Sequence, residues 1–437
     1  MNIISLLTLL IGIIFILPLF YIIYFVLKDT GLIKTNFKKG IMIIPVLSFI
    51  ETWRKKLQDN ENLRLLAKII IVVLISRLFI FLLGYFEVML LRNEANGIVN
   101  SFQSLWYRWD SLHYLDIAQN WYSNIGEARY NIVFYPLYPI LIKVANFLIG
   151  NYFLSGVLVS HICLIIACFY LYKLVEFEFT PEIADNALKY LLIFPVSFFL
   201  GIVFTDSLFL ALSIACFYYF RKRKWIIAGI VGCLASFTRN FGILLIIPAL
   251  IEYLCANQVL KIGNYHFSKL KSDFINGGWA LFLIPMGFLV YLYINKAVTG
   301  DWFKFIYYES EHWHNQIDFF GRNLINYFEN AMTWKPAERI SLWIPQLVTI
   351  FSALGLIFYS FKKIPISYIV YMFLYLLICV SLTWLLSGPR YIMSLFPIYI
   401  SIALIARNKV IDYLLSFLLI LLLGFYSLAF ISGNYVM

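Results

Sequence analysis

The chain has 437 residues, 62% of them hydrophobic and 13% charged, with a formal net charge of +11. Soluble domains carry roughly 45–50% apolar and about 25% charged residues, so this chain has too little polar surface to face water all round. Its six cysteines form no Cys-x-x-Cys pair, so neither a zinc ribbon nor a disulfide framework is indicated.

The apolar residues fall in runs long enough to cross a bilayer, which takes about 20 residues per helix. They lack the period-2 alternation of a transmembrane barrel strand. The expectation is therefore an all-α polytopic membrane protein with about 12 spans. In chain order these are 3–27, 68–91, 152–174, 188–203, 206–220, 225–238, 240–256, 278–296, 341–360, 365–386, 391–405 and 410–432. The run at 3–27 is too long for a signal h-region and lacks a basic start and a small-residue cleavage site, so it reads as a retained span. Residues 28–67 are basic and partly amphipathic, as in a segment that docks on a membrane surface. The predicted organisation is thus 1–67, an extra span plus basic cytoplasmic segment, followed by a membrane domain over 68–437.

Charge placement sets the orientation. The basic clusters lie in 28–67, at Arg221-Lys222-Arg223-Lys224, at Lys261 with Lys269 and Lys271, at Lys362-Lys363, and at Arg407 with Lys409. Basic loops favour the cytoplasmic side. All of these clusters fall inside if the short apolar stretch 134–150, broken by Pro136 and Pro139, lies in the outer interface instead of spanning. Thr180-Pro181 suits a helix start, since Thr caps well and Pro fits the first turn. Two outer loops result, about 92–151 and 297–340, both rich in Trp, Tyr, His and charge. The excess positive charge is accounted for by topology, so no nucleic-acid partner is expected.

The first outer loop carries Trp106-Tyr107-Arg108-Trp109-Asp110-Ser111-Leu112-His113-Tyr114, which reads as a helix lying along the membrane. Asp110 and His113 fall on one side of it at helical spacing. A carboxylate beside aromatic rings at the water–lipid boundary suits general-base work on a hydroxyl, with His113 orienting it or binding a sugar hydroxyl. The plainer alternative is an Asp that caps its own helix. Asp206, in Phe204-Thr205-Asp206-Ser207, is costly in an apolar setting unless it faces a cavity or partner, or caps the helix beginning at Ser207. Arg239 and Arg390 sit at outer ends of spans, where a planar guanidinium suits phosphate and where snorkelling to headgroups is the alternative. Arg77, inside a span, requires a buried partner. His312 and His314 are two apart in Glu311-His312-Trp313-His314, which is not a zinc-binding spacing, and no metal or other cofactor is expected.

Taken in order, these stretches resemble the PIG-V family, which adds the second mannose to glycosylphosphatidylinositol, and its prokaryotic relatives. The matching segments are Arg108-Trp109-Asp110-Ser111-Leu112-His113-Tyr114, Phe134-Tyr135-Pro136-Leu137-Tyr138-Pro139, Phe204-Thr205-Asp206-Ser207-Leu208-Phe209, Ala235-Ser236-Phe237-Thr238-Arg239-Asn240-Phe241-Gly242, Gly300-Asp301 before His312-Trp313, and Ser387-Gly388-Pro389-Arg390-Tyr391. They cover about residues 68–405. The resemblance implies a GT-C-type helical bundle and a glycosyltransferase that takes sugar, typically mannose, from a polyprenyl-phosphate donor. It implies transfer with inversion on the non-cytoplasmic face to a lipid or glycan acceptor, usually without metal. It makes Asp110 the catalytic base or essential acid. Arg239 and Arg390 become candidates for the donor phosphate, and Arg108, Trp109, His113, Asp206, Asn240, His312 and Trp313 become substrate-binding candidates. Ser111 after Asp110 differs from the paired acids of protein O-mannosyltransferases. Residues 1–67 have no counterpart in the family, and a membrane-protein partner for them is an open expectation. Ile-, Asn-, Lys- and Tyr-rich usage points to an AT-rich prokaryotic genome, hence a multi-pass plasma-membrane protein. The competing reading is a transporter or lipid-linked sugar flippase.

Overall fold

The computed structural model describes residues 60–87, 98–257, 267–433 and 436. The expected first span at 3–27 and nearly all of the basic segment lie outside these residues. The chain divides at Arg64–Leu65, and the architecture below is that of the second unit, Leu65–Met437. The regular elements among the described residues are helices, apart from one isolated antiparallel bridge between Ile317 and Leu382.

In chain order the helices are α1 (Glu61–Glu87), α2 (Ile98–Trp106), α3 (Asp110–Asn120), α4 (Leu137–Ile149), α5 (Tyr152–Glu178), α6 (Pro181–Leu192), α7 (Asp206–Arg221), α8 (Trp225–Ser236) and α9 (Ile246–Ala256). Then follow α10 (Phe267–Ile275), α11 (Met286–Thr299), α12 (Lys304–Trp313), α13 (Phe320–Thr333), α14 (Pro336–Ser360, with a π turn at Arg339–Trp343), α15 (Ile366–Val380), α16 (Gly388–Met393), α17 (Pro397–Ile405) and α18 (Lys409–Ile431). Among the described residues, five helical stretches are long and apolar enough to cross a membrane: Glu61–Tyr85, Tyr152–Glu178, Gly278–Thr299, Pro336–Ser360 and Lys409–Ile431. Their outer faces are apolar: α1 exposes Leu74, Ile75 and Phe79, and α18 exposes Leu414, Phe417 and Leu421. In water such faces would be a liability, whereas lipid solvates them.

Local signals explain the helix starts. Asn151 accepts from the Leu154 amide ahead of α5, and Thr180 does the same for Ile183 ahead of α6, with Pro181 in the first turn. The α5–α7 pair forms the centre, with α4 and α6 against α5, and α8 against α7.

The expected span at 188–203 is not a continuous helix. The helix begun at Pro181 stops at Leu192, and the chain runs irregularly, with one 3-10 turn at Ser197–Gly201, to Asp206. Pro195 has no amide hydrogen and cannot continue the helical ladder. The carbonyls freed by the break are claimed by Arg77, whose guanidinium donates to Ser197 O at 2.5 Å and Leu192 O at 3.2 Å. This is the buried partner that Arg77 requires. The expected spans 240–256 and 391–405 are likewise composite: a 3-10 stretch precedes α9, and Pro397 restarts the chain as α17 after α16 has ended. The stretch expected at 134–150 is α4, bent by 109° from the preceding 3-10 stretch Gly126–Val133. It buries Tyr138, Pro139 and Ile142 while exposing Phe147 and Leu148.

Candidate active site

A cavity of about 600 Å³ opens where α3, the 3-10 stretch after α8, α12 and α16 converge. Its polar lining includes Asp110, His113, Arg239, Asn240, Glu309 and Arg390, with Trp109, Phe134, Trp313 and Tyr391 as aromatic walls. A second concavity, between α1, α5 and α6, is almost wholly apolar and has none of these groups.

Asp110 is the first helical residue of α3, after Trp109, whose side chain makes no capping bond. The Asp110 carboxylate accepts from Arg390 Nη1 at 2.6 Å. The residue before it, Trp109, adopts φ 55°, ψ −131°, a conformation that favours glycine. Holding a tryptophan there costs on the order of 1–3 kcal/mol, which the surrounding packing must offset. The bend turns the helix start toward the cavity, with Trp109 as wall and Asp110 as functional group.

Asp206 is also the first helical residue of its helix, after Thr205, whose side chain makes no capping bond. It is fully buried, accepting from Arg239 Nη1 at 3.0 Å and from Arg390 Nε at 2.9 Å. Arg390 thus spans two carboxylates, and Arg239 adds a contact to Ser394 Oγ at 3.2 Å. Asp110, Arg390, Asp206 and Arg239 form one charge-balanced chain, with the outer carboxylate and both guanidinium groups on the cavity wall and Asp206 behind them. Burying Asp206 with the two guanidinium groups is tolerable because every charge has an opposite partner, Asp110 at the part-exposed end included.

His113 stacks on Phe134, ring centroids 4.6 Å apart. Its Nδ1 lies 2.7 Å from Asn131 Oδ1, and the Asn131 amide nitrogen donates to Asp116 at 2.6 Å. With the Asn131 oxygen thereby turned toward the imidazole, Nδ1 is the donor and Nε2 is left for a ligand.

The sequence-derived candidates divide by position. Trp109, Asp110, His113, Arg239, Asn240, Trp313 and Arg390 line the cavity. Asp206 lies behind it. His312 stacks on Tyr130 at 4.3 Å, and Arg108 lies beside Gly433, so neither is on the wall. Among the described residues, no three His, Cys, Asp or Glu side chains group as metal ligands.

Glu309 lines the cavity and was not among the sequence-derived candidates. Burial pushes its carboxyl up to about 7; the Asn315 amide pulls against that rise and the Asp110 charge adds to it. The available signal was helical spacing, since Phe305, Glu309 and Trp313 recur every four residues and all face the cavity.

Two comparisons bear on what kind of protein has this fold and site. Residues 135–270 match the family model described as dolichyl-phosphate-mannose-protein mannosyltransferase. The matched segment begins after Asp110-Ser111, so it does not bear on the difference from paired acids noted there. The likeness to membrane mannosyltransferases of the GT-C type, read from the motifs, is found again here. The chain is also similar to GPI mannosyltransferase 2 of Schizosaccharomyces pombe, 27% identical over 185 residues. That alignment covers 40% of this chain and 38% of the relative, so the chain spans well under half the length of the curated protein it matches.

Proposed function

We propose that the protein is a multi-pass membrane glycosyltransferase of the GT-C type. It moves a sugar, mannose in the first instance, from a polyprenyl-phosphate donor to a hydroxyl of a lipid or glycan acceptor, with inversion, on the non-cytoplasmic face. In this reading the broken and short helices complete about 12 crossings with the undescribed N-terminal span, and α4 lies in the outer interface. The observation that carries the reading is the Asp110–Arg390–Asp206–Arg239 chain on the wall of a cavity large enough for a sugar phosphate.

In that cavity Asp110 is the essential carboxylate. Arg390 fixes one of its oxygens, and the acceptor hydroxyl is oriented by the carboxylate as it attacks the anomeric carbon. Trp109, Phe134 and Trp313 offer apolar ring faces to the sugar, and His113 Nε2 and Asn240 offer hydrogen bonds to its hydroxyls. Negative charge develops on the phosphate oxygen as the C1–O bond breaks. Arg239 and Arg390 retain N–H groups beyond those given to Asp206 and Asp110, and these suit that charge.

The test is transfer of labelled mannose from polyprenyl-phosphate mannose to host lipid extract, in membranes holding wild type or Asp110→Asn. Wild type is expected to transfer label, and the variant to lose on the order of a hundredfold or more while still inserting and folding. Wild type that transfers no sugar from any polyprenyl-phosphate donor would sink the assignment and favour a transporter.

A further inference from the structure

Besides Asp110, one further carboxyl lines the cavity, Glu309, and its situation differs from those of Asp110 and of Asp206 behind the wall. Asp110 and Asp206 are each bonded to a guanidinium. Glu309 lines the same cavity but makes no ion pair among the described residues. Its polar partner is the neutral Asn315 amide. The backbone that carries it is fixed at the helix end. The amide of Asn315 and that of His314, a left-handed residue with φ 54°, both donate to the Glu309 carbonyl and close the end of α12. One turn later on the same face, Trp313 packs against Phe134 and stands edge-on to His113.

Resting on the transferase reading above, we propose that Glu309 is the residue that takes the proton from the acceptor hydroxyl, and that Asp110, held by Arg390, positions that hydroxyl. The step balances simply. The acceptor oxygen forms its bond to the anomeric carbon, and the C1–O bond to the lipid phosphate breaks with its electron pair going to the phosphate. The hydroxyl proton goes to a Glu309 oxygen and is later released to water. No other reactant is needed.

The surroundings fit this division. The groups whose charges bear on Glu309 or share its cavity are Asp110 and His113 on α3, Tyr135 ahead of α4, Arg239 after α8, Tyr291 on α11, and Arg390 and Tyr391 on α16. Neither guanidinium bonds Glu309, which leaves its carboxyl without an ion-pair partner among the described residues. A carboxyl titrating near neutrality is matched to proton transfer at physiological pH.

The experiment measures initial rates of mannose transfer from polyprenyl-phosphate mannose across the neutral pH range, for wild type, Glu309→Gln, Glu309→Asp and Asp110→Asn in membranes. Wild-type kcat/KM is expected to fall on the acid side of about 7, where Glu309 becomes protonated. Glu309→Gln is expected to lose on the order of a hundredfold or more and to show no acid limb in that region. Glu309→Asp is expected to keep part of the rate with the limb displaced. Glu309→Gln within a few-fold of wild type, with the limb intact, would overturn the proposal while leaving the transferase reading in place. Should Glu309→Gln fail to fold, the limb of Glu309→Asp decides the matter: displacement supports the proposal, and an unmoved limb rejects it. Wild type that transfers nothing would fail at the earlier step, a visibly different result.

Discussion

At the scale of single residues, the site is organised around Asp206. It has no exposed surface and two guanidinium partners. Asp206→Asn removes the counter-charge they share while nearly preserving the shape, leaving buried Arg239 without a carboxylate and Arg390 with Asp110 alone. Breaking a buried pair by removing one partner costs about 3–5 kcal/mol. The melting temperature of the detergent-solubilised variant is therefore expected to drop by several degrees, and Asp206→Glu to recover part of that loss. A variant melting with wild type would show that the buried network contributes little. Asp110 was legible in the sequence because an acid between Trp109 and His113 stands out in an apolar chain. Its partner was not. Arg390 lies 280 positions away from Asp110 and 184 from Asp206, and no local pattern encodes contacts of that separation. Glu309 was hidden for another reason: Glu311, His312 and His314 beside it are polar and titratable too, and only its side of α12 distinguishes it.

At the scale of elements, the long apolar runs gave reliable helices. The runs expected at 152–174 and 410–432 became α5 and α18 with nearly the same edges. The errors came where a proline sits inside an apolar run. Composition records that residues 188–203 are hydrophobic but not that Pro195 ends the ladder, nor that Arg77 collects the freed carbonyls. Close crossings were equally invisible. A Cβ on Gly229 would stand 1.9 Å from the Ala280 carbonyl oxygen, so α8 meets the Gly278–Leu283 turn with no room for a side chain. Gly229→Val must push these elements apart, and overpacking of this kind costs about 1–3 kcal/mol or more. Reduced yield of folded protein and a lower melting temperature are expected. A fully stable variant would mean that the crossing can open without loss.

At the scale of the whole second unit, charge is concentrated at the two ends of α7. Its N-terminus carries Asp206 in the cavity network, and its C-terminus carries Arg221, which bonds Glu178 of α5 at 2.5 Å and Glu252 of α9 at 2.6 Å. Sixteen residues separate these ends, about 24 Å at 1.5 Å per residue, so the two clusters are not in contact. Ser367 of α15 also donates to Glu252, making Arg221 the centre of a four-helix clasp. Arg221→Ala leaves two mostly buried carboxylates unpaired and is expected to lower the melting temperature by several degrees. Transfer per folded molecule should stay near the wild-type value, since mutations this far apart act almost independently. A large loss of transfer in well-folded Arg221→Ala would instead reveal coupling along α7.

The bond between Arg77 and the broken helix also has a meaning in time. Arg77 is translated early, yet its acceptors at Leu192 and Ser197 lie 115 and 120 positions further along the chain. At roughly 5–20 residues per second, that interval is about 6–24 s. For that period the guanidinium on α1 has the neighbouring Ser76 hydroxyl but not its two carbonyl acceptors, and it has reason to linger at the membrane surface or beside the insertion machinery. The first described span is therefore completed by chain made long after it, and its final placement in the bilayer is an event of assembly more than of insertion.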